Sequence, residues 1–275
     1  MHSSITILFL GDVVGKPGRR AVTRYLASEG RPSADIVIVN AENMAHGFGM
    51  TELNVRELLD AGVHVLTGGN HTFDRKEFFG FTQNYPSVLR PANYPEGTPG
   101  SGFYVHTVGD TKVAVINLMG RVFMDPLRSP FHVADELVER AQQETPIIFV
   151  DMHAEATAEK VALGWYLDGR ASCVVGTHTH IQTADERILP KGTAYITDAG
   201  CCGPINSVIG MAFDAVFRRL VQQLPARFEV ADGPAAVSGI FVEIDKATGR
   251  ALKIERVRYE EPADESTTQK QQESA

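Results

Sequence analysis

The stretch SCVVGTHTH at residues 172–180 combines the structural and the chemical pattern that recurs along this chain. Its first five residues form an uncharged, mainly apolar run with the length of one buried β-strand, and the run ends at a glycine. Two histidines, His178 and His180, follow within four residues. The stretch therefore predicts a buried strand whose carboxyl end carries two side chains of the metal-ligand type.

The same arrangement recurs at four other runs. The runs and the polar residues that follow them are 5–10 with Asp12, 36–40 with Glu42 and Asn43, 63–67 with Asn70 and His71, and 147–151 with His153. In open α/β sheets the carboxyl ends of the strands share one edge, and ligands bind there. We therefore expect all eight side chains to converge at one rim.

Amphipathic stretches separate these strands. The predicted helices cover residues 19–28, 51–61, 158–167 and about 214–224, and Thr51 is expected to cap the second of them. Hairpins are predicted at 105–117 and 238–259, which adds antiparallel pairing. The pattern predicts an α/β fold, specifically a layered α/β sandwich with mixed, mainly parallel sheets.

Composition and charge exclude several classes of protein. The chain has 275 residues, 43% of them hydrophobic, and 26 Lys and Arg against 34 Asp and Glu give a formal charge of -8. Such a composition is typical of a globular domain. An acidic chain lacks the basic surface that long polyanions require, so neither duplex nucleic acid nor a membrane is an expected partner.

One domain is predicted over residues 1–259, followed by a disordered acidic tail at 260–275. The tail is polar and has no aromatic residue, so it cannot bury enough apolar surface to become ordered. Three cysteines form no disulfide framework, and the first apolar run is too short for a signal peptide. We expect a cytoplasmic protein whose cysteines are reduced. A homo-oligomer is expected only because such assemblies are common among soluble proteins.

The candidate ligands comprise two carboxylates, two amides and four histidines. This mixture of oxygen and nitrogen suits Fe, Mn or Zn better than Ca or Mg, and the absence of a cysteine cluster argues against structural zinc. Eight such residues exceed what one open catalytic ion needs. We therefore infer two divalent ions, with Glu42 as the residue that bridges them.

These motifs resemble those of the calcineurin-like metallophosphoesterase superfamily. The chain departs from the usual blocks, because Val14 stands in place of a metal-binding histidine and Thr72 in place of an acidic residue. The departures are similar to those of the YmdB-type branch. Its five motifs occur here in order: NAEN at 40–43, GNHT at 69–72, HAEAT at 153–157, GTHTH at 176–180 and TDAG at 197–200.

The resemblance implies a metallophosphoesterase-like fold and a ligand assignment for each ion. Asp12, Glu42, Asn43 and His180 would hold one ion, and Glu42, Asn70, His153 and His178 would hold the other. The metal implied is iron or manganese, and the activity is that of a phosphodiesterase acting on 2',3'-cyclic and 3',5'-cyclic nucleotides. His71 carries no metal in this assignment.

The charges of such a site favour a phosphodiester substrate. Two divalent ions, two carboxylates and a bridging hydroxide leave a charge of +1, which one phosphodiester anion balances. The hydroxide is the expected nucleophile, since metal coordination lowers the pKa of water to about 7. His71 is the expected general acid for the leaving alkoxide, with Asp74 orienting it.

Two other functions remain open from the sequence. The first is a phosphomonoesterase that uses the same ions, although a dianionic substrate would overbalance the site. The second is a regulatory protein that binds a nucleotide and keeps the metals without turnover, which the missing histidine at Val14 permits.

Several other residues have two interpretations each. Arg121 would clamp a phosphate oxygen or form a surface ion pair, and the stretch 198–211 would cover the nucleotide or serve as an ordinary connection. Glu155 and Glu159 would orient His153 or only favour the first turn of a helix. Surface or packing roles are expected for the following residues: His2, His46, His64, His106, His132, Cys201 and Cys202.

Overall fold

The computed structural model describes residues 3–262 of the chain. The helices are α1 (Gly15–Ala27), α2 (Glu52–Asp60), α3 (Phe78–Phe81), α4 (Pro130–Gln142), α5 (Thr157–Tyr166) and α6 (Phe213–Leu220), with a 3-10 turn at Thr82–Asn84. The strands are β1 (Ser4–Leu10), β2 (Asp12–Val13), β3 (Ile36–Asn40), β4 (Val65–Thr67), β5 (Phe103–Val108), β6 (Thr111–Met119), β7 (Ile148–His153), β8 (Cys173–Thr177), β9 (Arg187–Ile188), β10 (Ala194–Ile196), β11 (Cys201–Pro204), β12 (Ala235–Asp245) and β13 (Ala251–Glu260).

The strands form two mixed sheets. The first has the order β2-β11-β12-β1-β3-β4, and β13 adds to β12. Its β1, β3 and β4 run parallel, whereas β12 pairs antiparallel with β1 and β13. The second sheet has the order β5-β6-β7-β8-β10-β9, with β6, β7, β8 and β10 parallel and an antiparallel strand at each edge.

The two sheets pack face to face, and helices cover the outer faces. The alternation of side chains along β1 shows this: Phe9 lies in the core between the sheets, 5.2 Å from the ring of Phe149 on β7. Leu8 points the other way and packs in the core formed with α1 and α2. On the far side, β6, β7 and β8 pack on α4 and α5. This arrangement confirms the predicted layered α/β sandwich.

The predicted cap of α2 and the predicted turn between β5 and β6 are both found. The hydroxyl of Thr51 accepts a hydrogen bond of 3.3 Å from the backbone N–H of Asn54 and so caps α2. Gly109 has φ +59° in the turn between β5 and β6, a conformation that glycine adopts without strain. Within residues 3–262, no helix combines the length and the apolar character that crossing a bilayer requires.

The structure differs from the sequence analysis in several places. Helix α4 was not predicted, and the stretch 198–211 contains β11, which pairs with β2 and β12 and is therefore not an unstructured loop. The tail does not begin at residue 260, because Glu260 ends β13 and Glu261 is buried. The Glu261 carboxylate lies 2.7 Å from Arg20 and accepts from the backbone N–H of Ala235. The rest of the predicted tail lies outside the described residues, and the extent of the domain stays a prediction.

Candidate metal centre

The predicted ligands meet where the carboxyl ends of both sheets come together. The first sheet supplies Asp12 from β2, and residues that follow β3 and β4: Glu42, Asn43 and Asn70. The second sheet supplies His153 at the end of β7, with His178 and His180 just after β8. The convergence expected from the sequence is therefore present, and it joins residues up to 168 positions apart, from Asp12 to His180.

Three ligand-type atoms lie close to one imidazole nitrogen. Nε2 of His153 lies 2.9 Å from Oδ1 of Asn70, 3.1 Å from Oε1 of Glu42 and 3.1 Å from Nδ1 of His178. Glu42, His153 and His178 form a group whose ligand atoms all lie within 4.8 Å of one another. These residues are the set that the resemblance implies for one of the two ions.

The hydrogen bonds behind His153 decide which of its nitrogens faces this group. The hydroxyl of Thr177 donates to Asp151 over 2.7 Å, so it accepts from Nδ1 of His153 over 2.9 Å. A neutral His153 then presents the lone pair of Nε2 to the oxygens of Glu42 and Asn70. A metal ion placed among these facing lone pairs would be bound by all of them, so this donor set fits a metal ion.

The protonation of the two neighbouring histidines follows from the same geometry. Burial acts to lower the pKa of His153, but the carboxylates of Glu42 and Asp12 outweigh it and raise that pKa. Burial lowers the pKa of His178 to about 3, and the nearby charge of His153 contributes. Burial alone would raise the pKa of Glu42, but the charge and hydrogen bond of His153 hold it at about 2. Glu42 is therefore ionised at neutral pH.

The second group of candidate ligands contains buried oxygens that lack a donor. Among the described residues, none donates a hydrogen bond to Oδ1 of Asp12 or to Oδ1 of Asn43, although both atoms are buried. Nε2 of His180 lies 4.0 Å from Oδ1 of Asp12, and Nδ1 of His180 is held by the carbonyl of Ile209 at 2.9 Å. Burying an unpaired oxygen is costly unless a cation binds it, so this set also fits a metal ion.

Backbone conformation at this rim is specialised. His178 and His180 have φ +96° and +66°, a left-handed region that residues other than glycine rarely adopt, and such strain concentrates at functional sites. Gly69 has no room for a side chain, since a Cβ there would lie 2.2 Å from Oε2 of Glu42 and 2.3 Å from Nε2 of His153. The glycine of the GNHT motif therefore lets the backbone approach the ligands.

His71 lies beside the cluster at its exposed edge. Its backbone N–H donates to Oε2 of Glu42 over 3.0 Å, and its Nδ1 lies 2.8 Å from Oδ2 of Asp74. The ring packs edge-on against Phe48, with 28% of the side chain exposed. The expected partner Asp74 is thus in contact, and His71 is accessible to a bound molecule.

Of the two interpretations given for each nearby acid, contact with His153 is not found, and Glu159 does lie in the first turn of α5. Glu155 contacts Nε2 of His178 at 3.1 Å, so its partner is not His153. Glu159 does not reach His153 either, because its carboxylate accepts from the backbone N–H groups of Arg121 and Val122.

The Arg121 side chain is exposed and forms no ion pair with another described residue, so the expected surface ion pair is not found.

Sequence reasoning missed the residues that support the ligands. Asp151, buried on β7, accepts from Asn40, Thr67 and Thr177 and so links both sheets beneath the ligands. Burial raises its pKa to about 6, although the charge of His153 acts to lower it. A carboxylate inside an otherwise apolar strand was the signal that would have revealed it.

A second buried network supports the segment 178–180. Asp198 accepts from the ammonium of Lys160 at 2.7 Å and from the hydroxyl and backbone N–H of Thr179. Thr179 stands between the two histidines, so this buried ion pair fixes the loop that carries both. Asp198 belongs to the TDAG motif, whose function the sequence alone did not reveal.

Among the described residues assigned to surface or packing roles, one contacts a candidate ligand. His46 and His132 are exposed, and the rings of His64 and His106 pack 5.0 Å apart. The three cysteines are free; Cys173 and Cys202 are buried, whereas Cys201 makes a side-chain hydrogen bond with His180. His2 lies outside the described residues.

Two face-to-face sheets that bring carboxylate, amide and imidazole ligands together at their strand ends define a metallophosphoesterase-like protein. The chain belongs to the YmdB-like protein family, whose sequence profile matches residues 8–257. The resemblance predicted from the motifs is therefore confirmed.

Several relatives agree over nearly their whole length. A 2',3'-cyclic-nucleotide 2'-phosphodiesterase of Bacillus subtilis strain 168 is 52% identical over 252 residues, which cover 91% of this chain and 96% of that protein. A crystal structure of a novel phosphatase from Mycoplasma pneumoniae has a TM-score of 0.90 at 38% identity and covers 98% of both chains. A hypothetical protein from Thermus thermophilus has a TM-score of 0.89 at 42% identity, covering 94% of this chain and 100% of that one.

Proposed function

We propose that this protein is a metal-dependent phosphoric diester hydrolase that opens 2',3'-cyclic nucleotides and also hydrolyses 3',5'-cyclic nucleotides. The observation that carries the proposal is the convergence of ligand atoms on His153 beside two buried oxygens without donors. The name of the Bacillus subtilis relative supports the substrate class. The cytoplasmic location, the absence of nucleic-acid and membrane partners and a homo-oligomeric state stay predictions.

Two divalent ions, iron or manganese by resemblance and zinc as an alternative, would occupy the centre. Asp12, Asn43 and His180 would hold one ion, Asn70, His153 and His178 the other, and Glu42 would bind both. When bound, such ions activate water and stabilise the negative charge of the phosphoryl group. Because only Asp12 and Glu42 bring negative charge to the ligand set, the loaded site is positive and favours an anionic diester.

His71 would supply the proton that the leaving ribose oxygen needs. Hydrolysis of the 2' ester adds the elements of water, breaks the bond between phosphorus and O2', and leaves a 3'-phosphate. A hydrogen bond from Nδ1 of His71 to Asp74 leaves Nε2 available to the leaving oxygen. General acid catalysis of this kind contributes typically about 10²- to 10⁴-fold to the rate.

The test is hydrolysis of 2',3'-cyclic AMP by protein reloaded with iron or manganese. Chelator-treated protein is expected to be inactive. His71→Ala is expected to bind both metals and to lose about 10²- to 10⁴-fold in turnover, because the backbone N–H that holds Glu42 remains. His132→Ala, which changes an exposed histidine on α4, is the matched control and is expected to behave as wild type.

Three outcomes would contradict parts of this proposal. A fully active His71→Ala protein, or one stripped of its metals, would exclude the general-acid role. Faster hydrolysis of 3'-AMP than of the cyclic diester would favour the phosphomonoesterase, a function consistent with the Mycoplasma pneumoniae relative being called a phosphatase. Two bound metals and tight nucleotide binding without product would support the regulatory binding protein.

A further inference from the structure

The loop after β6 begins directly at the metal centre. Met119, the last residue of β6, pairs in register with His153, and the next residue, Gly120, donates its backbone N–H to the carbonyl of His153 over 2.9 Å. The three residues after Gly120, which end at Phe123, span at most about 11 Å. Phe123 therefore lies close enough to the strand ends that carry the ligands for one bound nucleotide to reach both.

The backbone of this loop is held in place. Glu159, only 9% exposed, accepts from the N–H groups of Arg121 and Val122 at 3.0 and 3.2 Å. Asn93 exchanges two hydrogen bonds with the backbone of Met119, of 2.7 and 2.9 Å. A buried carboxylate and a buried amide therefore fix the loop against α5 and β6, so its exposed side chains project from a rigid base.

Phe123 is unusual on this rigid loop. Its exposed fraction of 90% is the largest among the large apolar side chains that the structure describes as exposed, and its φ of +62° is left-handed. A turn at this φ normally uses glycine or asparagine, since other residues are strained there. His178 and His180 share the same kind of strain at the ligands. The exposed ring contributes nothing to the core, and the backbone strain at this position points to a functional role.

Tyr94 connects this loop to the His71 side of the centre, because it follows Asn93, which bonds the backbone of Met119, and its ring lies 5.1 Å from that of Phe73. The Tyr94 phenol lies within electrostatic reach of Asp125 from this loop and of Glu42 and Asp74 from the site. Burial, with the charges of these carboxylates, raises the pKa of Tyr94 to about 12. Arg121, exposed and without an ion pair among the described residues, adds a cation to the same loop two residues before Phe123.

We propose that Phe123 is the stacking platform for the nucleobase of the cyclic nucleotide bound at the metal centre, an inference that rests on the proposed function. The exposed face of an aromatic ring stacks on any base, and a fixed loop loses little conformational entropy when the base binds. Phe123 thereby favours nucleotides over cyclic diesters that lack a base, with little preference among the four bases.

The test compares two substrates with the same reacting group. One is 2',3'-cyclic AMP, and the other is the 2,3-cyclic phosphate of methyl ribofuranoside, which has no base. Phe123→Asn keeps a residue that tolerates the left-handed backbone but removes the ring. The ratio of kcat/KM for the nucleotide to that for the base-free diester should fall about 5- to 150-fold, mainly through KM of the nucleotide.

Matched variants separate stacking from damage to the loop. Phe123→Tyr retains the ring and is expected to keep the wild-type ratio. Val122→Ala, at a neighbouring exposed position, is also expected to keep it. Thermal unfolding of Phe123→Asn should occur at the wild-type temperature or above, because asparagine relieves the backbone strain. An unchanged ratio in Phe123→Asn, or an equal loss on both substrates, would overturn the proposal.

A binding measurement distinguishes failure of this inference from failure of the proposed function. If metal-loaded wild type hydrolyses neither substrate, the affinities for 3'-AMP and ribose 3-phosphate are compared by calorimetry. A preference for 3'-AMP that disappears in Phe123→Asn would support the platform even without the activity. Equal affinities in wild type would overturn it.

Discussion

Two pairs of histidines in this molecule have similar geometry and different chemistry. The rings of His153 and His178 lie 4.8 Å apart, and those of His64 and His106 lie 5.0 Å apart. The first pair stands beside Glu42 and Asp12, which raise the pKa of His153 against the effect of burial. In the second pair, burial lowers the pKa of His64 and of His106, and the charge of His64 lowers that of His106 further.

The difference shows that the neighbours of an imidazole pair decide its role. His153 and His178 lie at or just after the carboxyl ends of β7 and β8, where carboxylate and amide oxygens converge. His64 precedes β4, and its Nδ1 accepts a hydrogen bond of 3.0 Å from the backbone of Val37. One pair therefore belongs to the candidate cation site, whereas the other remains neutral and completes the hydrogen bonding of a strand.

The largest effect is expected from removing the charge that distinguishes the two pairs. In the proposed centre Glu42 is the carboxylate that both ions share, so Glu42→Gln should lose both metals and its turnover should fall by about 10³-fold or more. Elemental analysis and the rate on 2',3'-cyclic AMP measure the two effects. Full metal content and activity in the Glu42→Gln protein would show that Glu42 is not the shared ligand.

A smaller effect should follow from disturbing only the support of His153. Thr177→Val removes the acceptor of its Nδ1–H, so the affinity for one of the two metal ions should fall about 10- to 100-fold. Metal titration followed by calorimetry would resolve that ion from the other. Thr177→Ser retains the hydroxyl and should restore the affinity; equal losses in both variants would argue against the hydrogen bond as the cause.

The second pair should affect stability and leave the metals unchanged. His64→Ala leaves the N–H of Val37 without its acceptor and should lower the free energy of unfolding by about 1 kcal/mol. Urea unfolding measures this change, and metal content should stay at the wild-type value. His106→Ala serves as the matched control and should cost less, since no hydrogen bond to a strand is lost. A loss of metal in either variant would break the distinction between the pairs.

The smallest effect concerns pH. Because the folded pKa values of His64 and His106 lie below their unfolded value, the unfolded state binds more protons in acid. These two groups therefore stabilise the fold above about pH 6.5 and lose that contribution as the pH falls below it. The double variant His64→Gln/His106→Phe should flatten the pH dependence of the free energy of unfolding of metal-free protein between about pH 7 and 5. An unchanged slope would refute the assignment.

Sequence reasoning succeeded where the signal is local. The strand that became β8 was predicted at 172–176 and found at Cys173–Thr177, and the cap at Thr51 was predicted correctly. Helix α4 was missed, and β11 was taken for a loop because the CCGP sequence carries no strong strand signal. β11 exists because it pairs with β2 and β12, partners that a local pattern does not contain.

The sequence by itself determined the motifs, the candidate ligand residues and most of the order of strands and helices, with α4 and β11 among the exceptions, because apolar periodicity and the polar residues after each strand are properties of short segments. The tertiary structure decided which atoms meet: that Thr177 and Asp151 hold His153, that Glu155 contacts His178, and that Glu159 fixes the loop bearing Phe123. These contacts join distant parts of the chain, so they depend on how the two sheets pack and not on the spacing of residues along it.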